Sequence, residues 1–232
     1  MKELTKICNL YSAPYQTIAC DYLSRECFTY PWEALAGIKD YIIELGKTLP
    51  ADKYDNPAEN VWIAKSATVF PSAYIGAPCI IDEGAEIRHC AFIRGSAIVG
   101  KNCVVGNSTE LKNVILFDNV QVPHFNYVGD SILGYRSHMG AGSITSNVKS
   151  DKTLVSVKTA RKNYIYDGDP IETGLKKFGA MLGDYVEVGC NSVLNPGTVI
   201  GKHVNIYPTS CVRGFVYENS IYKDKENIID KN

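Results

Sequence analysis

The 232-residue chain has no long apolar run, no block of like charge and no paired-cysteine motif. No stretch approaches the roughly 18–20 apolar residues of a spanning helix, so no membrane partner is expected. The 24 basic and 25 acidic residues are interspersed and leave a net charge of −1, which argues against nucleic acid as a partner. Met1-Lys2-Glu3-Leu4-Thr5-Lys6 lacks the apolar core of a secretory signal, so a cytoplasmic location is expected. Cys8, Cys20, Cys27, Cys90, Cys190 and Cys211 show no CxxC or other zinc spacing. Free thiols are expected in place of bridges, and no metal.

What is present is a beat of six. Ile63, Val69, Ile75, Ile81, Ile87, Ile93, Val99, Val105, Leu111, Phe117 and Pro123 stand six apart. A small residue follows four positions after most of them, as at Ala67, Ala73, Cys79, Ala85, Ala91, Ala97 and Cys103. The beat returns at Leu182, Val188, Leu194, Ile200, Ile206 and Val212. A helix repeats every 3.6 residues and a strand every two, so neither alone sustains this period. A coil of three short strands joined by tight corners does, with the aliphatic residue pointing inward and the small one letting the corner close. The expected fold is an all-β solenoid, a parallel β-helix of hexapeptide repeats.

Residues 1–58 lie outside the repeat, and Glu33 to Lys47 reads as a helix with Leu35, Ile38, Ile42 and Leu45 on one face. Such a helix suits a cap on the open first coil. The β-helix domain is expected over 59–217, with a polar tail over 218–232. Two interruptions are expected: extra residues after Pro123, over His124–Asp130, and a longer insertion over 148–176. The latter reads as a hairpin of Thr153–Val157 and Tyr164–Tyr166 beside a Gly168-Asp169-Pro170 turn. Interruptions of a regular scaffold are where function concentrates.

His124 opens the first interruption, and a neutral imidazole there could take a proton near pH 7 or could be a plain surface histidine. His89 and His124 would stack two coils apart, but a third ligand for zinc is missing. Gly140-Ala141-Gly142 lacks phosphate-loop spacing and reads as turn glycines whose amides a ligand could approach. Arg94 and Lys112 stand 18 apart, one full coil, and would stack as a pair suited to phosphate.

Three stretches carry a resemblance: Gly106-Asn107-Ser108-Thr109-Glu110-Leu111-Lys112, then Pro123-His124-Phe125-Asn126-Tyr127-Val128-Gly129-Asp130, then Gly140 through Asn147. In order and spacing, over roughly 60–147 and 176–217, the chain resembles the acetyltransferase domain of bifunctional N-acetylglucosamine-1-phosphate uridyltransferase/glucosamine-1-phosphate acetyltransferases. The resemblance implies a left-handed coil, a homotrimer with sites between neighbouring solenoids, and acetyl transfer from acetyl-CoA to the amine of a sugar phosphate, glucosamine-1-phosphate first. It implies His124 as general base and Arg94, Lys112 and Lys177 around the phosphate. Tyr127 and Asn147 would complete the acceptor site, and the amide of Ala141 would face the thioester carbonyl. Cys190, Pro208 and Lys225, or Lys223, stand where the family contacts acetyl-CoA. Three positions depart from the family: His138 for an asparagine at the acceptor, Val148 for a tyrosine and Cys190 for a serine. Nothing before residue 59 resembles the nucleotidyltransferase domain, so no uridylyl transfer is expected. The alternatives are an acyltransferase for another amino or hydroxy sugar, or a non-catalytic subunit binding a sugar phosphate or nucleotide sugar.

Overall fold

The computed structural model describes residues 1–12, 17–25, 27–158 and 169–231. It is a parallel β-solenoid with three flat faces, here A, B and C, joined, apart from the long insertion, by corners of two to four residues. Face A stacks eight parallel strands, beginning at Val61–Ala64 and ending at Phe215–Val216. Face B stacks eight, from Thr68–Val69 to Ser220–Tyr222, and face C seven, from Tyr74–Ile75 to Cys211–Val212. An antiparallel strand closes one end of face A, Tyr54–Ala58 on the first coil, and one end of face B, Ile228–Asp230 on the last. Free edges that would pair with another chain are thereby blunted.

The inward beat is as expected at Ile81, Ile87, Ile93, Val99, Val105 and Leu111, and again from Leu182 to Val212, all buried. Between them the phase slips. Val99 pairs with Leu116, Val105 with Val122 and Leu111 with Val128, so two successive coils hold 17 residues instead of 18. The inward positions are therefore Leu116 and Val122, one before the expected Phe117 and Pro123. The stretch after Pro123 is no insertion. The shortening lies at the corner from face C to face A, where Lys112-Asn113 and Gly129-Asp130 turn in two residues. Asn113 (φ 55°) and Asp130 (φ 47°) take the left-handed conformation there, whereas Arg94-Gly95-Ser96 uses three residues one coil earlier. Phe117, displaced outward, stacks on Tyr11 at 4.9 Å.

Face A differs from the others in being apolar on both sides. Its outward residues form one ladder in strand register: Trp62, Ile80, Ile98, Ile115, Ile132, Met181, Val199, Phe215. The six from Ile80 to Val199 are wholly buried. The N-terminal segment covers them. In place of one helix over 33–47, a 3-10 turn runs over Pro31–Gly37 and an α-helix over Ile38–Gly46. Glu33 accepts the Thr29 and Tyr30 amides (2.7 and 2.9 Å), which fixes the start. The helix lies along the flank, not across the open end. Trp32 meets Phe178 of the fifth coil at 5.6 Å, and Gly46 rests on the indole of Trp62 in the first. Burying each aliphatic rung is worth roughly 1.5–3 kcal/mol.

The long insertion enters after Asn147 in the fifth coil. Ser156–Val157 pairs antiparallel with Ile171–Glu172, so the first expected hairpin strand has a partner at 171–172. The expected strand at Tyr164–Tyr166 lies outside the described residues. All eight cysteines are free thiols, and among the described residues no helix is long and apolar enough to cross a membrane.

Candidate functional site

One corner, between faces B and C, carries the motif residues in a single column. Along it the amide of Ser108 donates to His89 O, Phe125 to Asn107 O, Gly142 to His124 O, Asn191 to Ala141 O and Thr209 to Cys190 O, at 2.8–3.2 Å. His89, Asn107, His124, Ala141, Cys190 and the Pro208-Thr209 turn thus occupy the same corner of six successive coils. Neighbouring coils are about 4.8 Å apart. Gly106 is needed for this stacking, because a Cβ there would fall 1.6 Å from Pro123 O.

Two groups on this column are unengaged. The His124 imidazole is exposed and has no partner among the described residues, while its amide is held by the Asn126 carboxamide oxygen at 3.1 Å. The Asn126 side chain in turn donates to Gly140 O and Ser143 O (2.9 and 3.1 Å), tying the His124 corner to the Gly140–Ser143 turn one coil on. Between the bonded amides of Gly140 and Gly142, the Ala141 N–H donates to nothing among the described residues. A free imidazole and a free backbone N–H therefore stand on adjacent coils of one edge. In general chemistry an imidazole can accept a proton and a backbone N–H can donate to an oxyanion.

Across face C lies a second column, at the corner from C to A. Lys112 Nζ bonds both oxygens of Asp130 at 2.9 and 3.1 Å, and Asn113 and Asn147 donate to the same carboxylate at 2.9 and 2.5 Å. Asp130 is buried, at 3% exposure. The Asn147 amide also reaches the Tyr127 hydroxyl at 3.2 Å, and Arg94 pairs with Glu110 at 2.9 Å. Burial, then the nearby Asp130 and Glu110 carboxylates, pushes the Tyr127 phenol above its usual 10.0, so it stays a neutral donor in physiological conditions. Lys177 is exposed beside this column, since the following amide, that of Phe178, donates to Asn147 O at 3.0 Å.

The structure thus brings Arg94, Lys112, Tyr127 and Asn147 together, with Lys177 at their edge. It also supplies two residues that carried no role in the sequence reading. Glu110 and Asp130 neutralise Arg94 and Lys112, so this group holds no net positive charge apart from Lys177. Both acids sit in the motifs that drew attention: Asp130 stands 18 residues after Lys112, and Glu110 lies on the strand stacked beside the one that Arg94 follows. His138 is not part of the group. It lies on face B, between Gln121 and Glu187, with Nδ1 2.9 Å from Glu187 Oε2.

On the first column Cys190 and Pro208 are exposed. Lys225 pairs with Glu226 at 3.8 Å in the turn before the last strand. Lys223 instead holds its ammonium 5.5 Å from the ring of Tyr207, which precedes Pro208. Among the described residues no cluster of three or more His, Cys, Asp or Glu is placed to hold a metal.

Comparison with known proteins gives one family model, described as the GMPPB C-terminal domain, over residues 76–226. A bifunctional protein GlmU of Methanococcus maripaludis is 31% identical over 207 residues, 87% of this chain and 48% of its own length. A bifunctional sugar-1-phosphate nucleotidylyltransferase/acetyltransferase of Sulfurisphaera tokodaii is 31% identical over 133 residues, 57% of this chain and 31% of its own. The chain spans half or less of these relatives. Among solved structures, a point mutant of AntD, an N-acyltransferase from Bacillus cereus in complex with dTDP and coenzyme A, aligns at a TM-score of 0.37. That alignment has 17% identity and covers 76% of this chain and 88% of the other.

Proposed function

The chain belongs to the GMPPB C-terminal-domain family, and on that premise we propose that it is an acetyl-CoA-dependent N-acetyltransferase acting on an amino sugar that carries phosphate. The observation that carries this reading is the unengaged His124 imidazole one coil from the unengaged Ala141 N–H. Acetyl-CoA would lie along the column of Ala141, Cys190 and Pro208, with Lys223 better placed than Lys225 for its distal end. The sugar amine would sit over face C between His124 and Tyr127. His124 takes the ammonium-forming proton as nitrogen attacks the thioester carbon. The Ala141 N–H holds the oxyanion, and the tetrahedral intermediate then expels the thiolate.

A homotrimer fits the same picture. Tyr74 and Phe92, 62% and 42% exposed, pack edge-on on the outer side of face C, an apolar patch suited to a neighbouring solenoid. Sedimentation is expected at three times the 25.6 kDa chain mass, and an active monomer would contradict it. His138, on face B, would then reach an acceptor only across that boundary. The eight free thiols fit a reducing, cytoplasmic setting. The neutralised Arg94 and Lys112 favour, as a second reading, an acceptor other than glucosamine-1-phosphate. Thiol release from acetyl-CoA with a panel of amino-sugar phosphates tests both. No release with any of them refutes acetyl transfer, and a clear preference for glucosamine-1-phosphate removes the second reading.

A further inference from the structure

The insertion brings its own cations to the acceptor side of the molecule. Its first limb is firmly seated: Val155 and Val157 are fully buried, and the Phe215 amide donates to Lys158 O at 2.5 Å. The corner beneath is shaped for it, since Gly197 (φ 80°) would set a Cβ 2.6 Å from Val155 Cγ1. Between limb and corner lies a cleft of about 250 Å³ lined by Lys149, Ser156, Lys158, Pro196 and Arg213. A second hollow of about 280 Å³ shares Lys149, Pro196 and Arg213 and extends to Ser146, Asn195 and Asp151.

Three cations face one carboxylate here. Lys149 is engaged, with Nζ at 2.5 Å from Thr153 Oγ1, 3.2 Å from Leu154 O and 3.8 Å from Asp151. Lys158 and Arg213 are exposed and have no side-chain partner among the described residues. Of the three cations matched to the phosphate by resemblance, Arg94 and Lys112 are occupied by carboxylates, and only Lys177 is without a partner among the described residues. The cleft lies on the column of Asn147, because the Ser146 amide donates to Leu194 O and that of Asn195 to Val212 O, one and two coils on.

Resting on the acetyltransferase reading for the identity of the ligand, we propose that Lys149, Lys158 and Arg213 form the acceptor's phosphoryl site and that the acceptor is an amino sugar carried on a diphosphate. Length makes the argument. From the His124 corner to the cleft the path crosses face C, roughly 10 Å, and rises two to three coils, roughly 10–14 Å at coil spacing. A hexosamine 1-phosphate has its amine and phosphorus only a few bonds apart and cannot bridge that path. A sugar linked to a diphosphate can, with two phosphoryl groups shared among a guanidinium and two ammonium groups.

The test begins with calorimetric titration of the full chain with inorganic pyrophosphate and with orthophosphate. Pyrophosphate is expected to bind the tighter. Arg213→Ala and Lys158→Ala should each weaken it about tenfold or more, the scale of one charged hydrogen bond, with Arg213→Lys in between. In acetyl-transfer assays Arg213→Ala should raise KM for a diphosphate-linked amino sugar by a similar factor and change KM for acetyl-CoA far less. Absence of pyrophosphate binding to the wild type, or binding indifferent to both alanine variants, overturns the site. So does a rise confined to the KM for acetyl-CoA. If pyrophosphate binding follows the variants but no acceptor is acetylated, the site stands and the acetyltransferase reading falls.

Discussion

The corners on either side of face C are built in opposite ways. On the one between B and C, successive coils are joined by amide-to-carbonyl bonds, and the side chain of His124 stands free among the described residues. On the one between C and A, the side chains are bonded to each other, with the Asp130 carboxylate at the centre of Lys112, Asn113 and Asn147. A side chain held by nothing can be altered with little loss of fold and is available to a substrate. One held by a buried counter-charge is part of the scaffold whatever its chemistry suggests.

The largest expected effect separates the two corners by activity. His124→Ala should lower acetyl-transfer turnover by roughly 10²–10⁴, the usual worth of general-base help, with an unchanged melting temperature. Near-normal turnover in that variant would remove the free corner from the chemistry. The second effect is on stability and belongs to the bonded corner. Lys112→Ala leaves the buried Asp130 carboxylate with the Asn113 and Asn147 amides but without its counter-charge, and should destabilise the fold by about 3 kcal/mol in chemical denaturation. Adding Asp130→Asn should recover part of that loss. A Lys112→Ala variant as stable as wild type would mean that the ion pair does not hold the corner.

A smaller effect is pH-dependent. Burial, opposed by the Lys101 amide, raises the Asp118 carboxyl above its ordinary 3.8. For an acid shifted upward, the stability it contributes is present below the unfolded value and is lost as pH rises through the folded one. Asp118→Asn can still accept the Lys101 amide at the 2.9 Å position. Its stability relative to wild type should therefore grow as pH climbs from about 3.8, and denaturation curves at several pH values would refute this by running parallel. The smallest effect is Arg94→Ala, whose exposed pair with Glu110 should leave the melting temperature unchanged. A clear drop would make the two cations alike and erase the contrast within that corner.

Much of this was legible beforehand. The inward aliphatic positions declare the coil, and the His124 and Ala141 motifs carry their own spacing. The phase slip was ambiguous because Leu116-Phe117 and Val122-Pro123 each offer two apolar residues to one inward slot. The covered flank had a signal that an inward count passes over. Cys79-Ile80-Ile81, Ala97-Ile98-Val99, Val114-Ile115-Leu116 and Ala180-Met181-Leu182 are unbroken apolar triplets, the mark of a strand buried on both sides. The pairing of Asp130 with Lys112 had the same signal as the Arg94–Lys112 stack, a spacing of 18 residues, but in the sequence Asp130 reads only as part of a motif.

The covered flank also sets an order of events during synthesis. Residues 1–46 leave the ribosome before the coils they cover, and the docking surface for Trp32 includes Phe178. The segment cannot complete its docking until residues 47–178 are made and coiled. Through that interval the growing solenoid presents Ile80, Ile98, Ile115 and Ile132 to the crowded cell as a lengthening greasy strip. Nascent chains of this protein are thus most prone to mispairing late in elongation, and chaperones that hold exposed apolar surface have their natural client in the half-made coil.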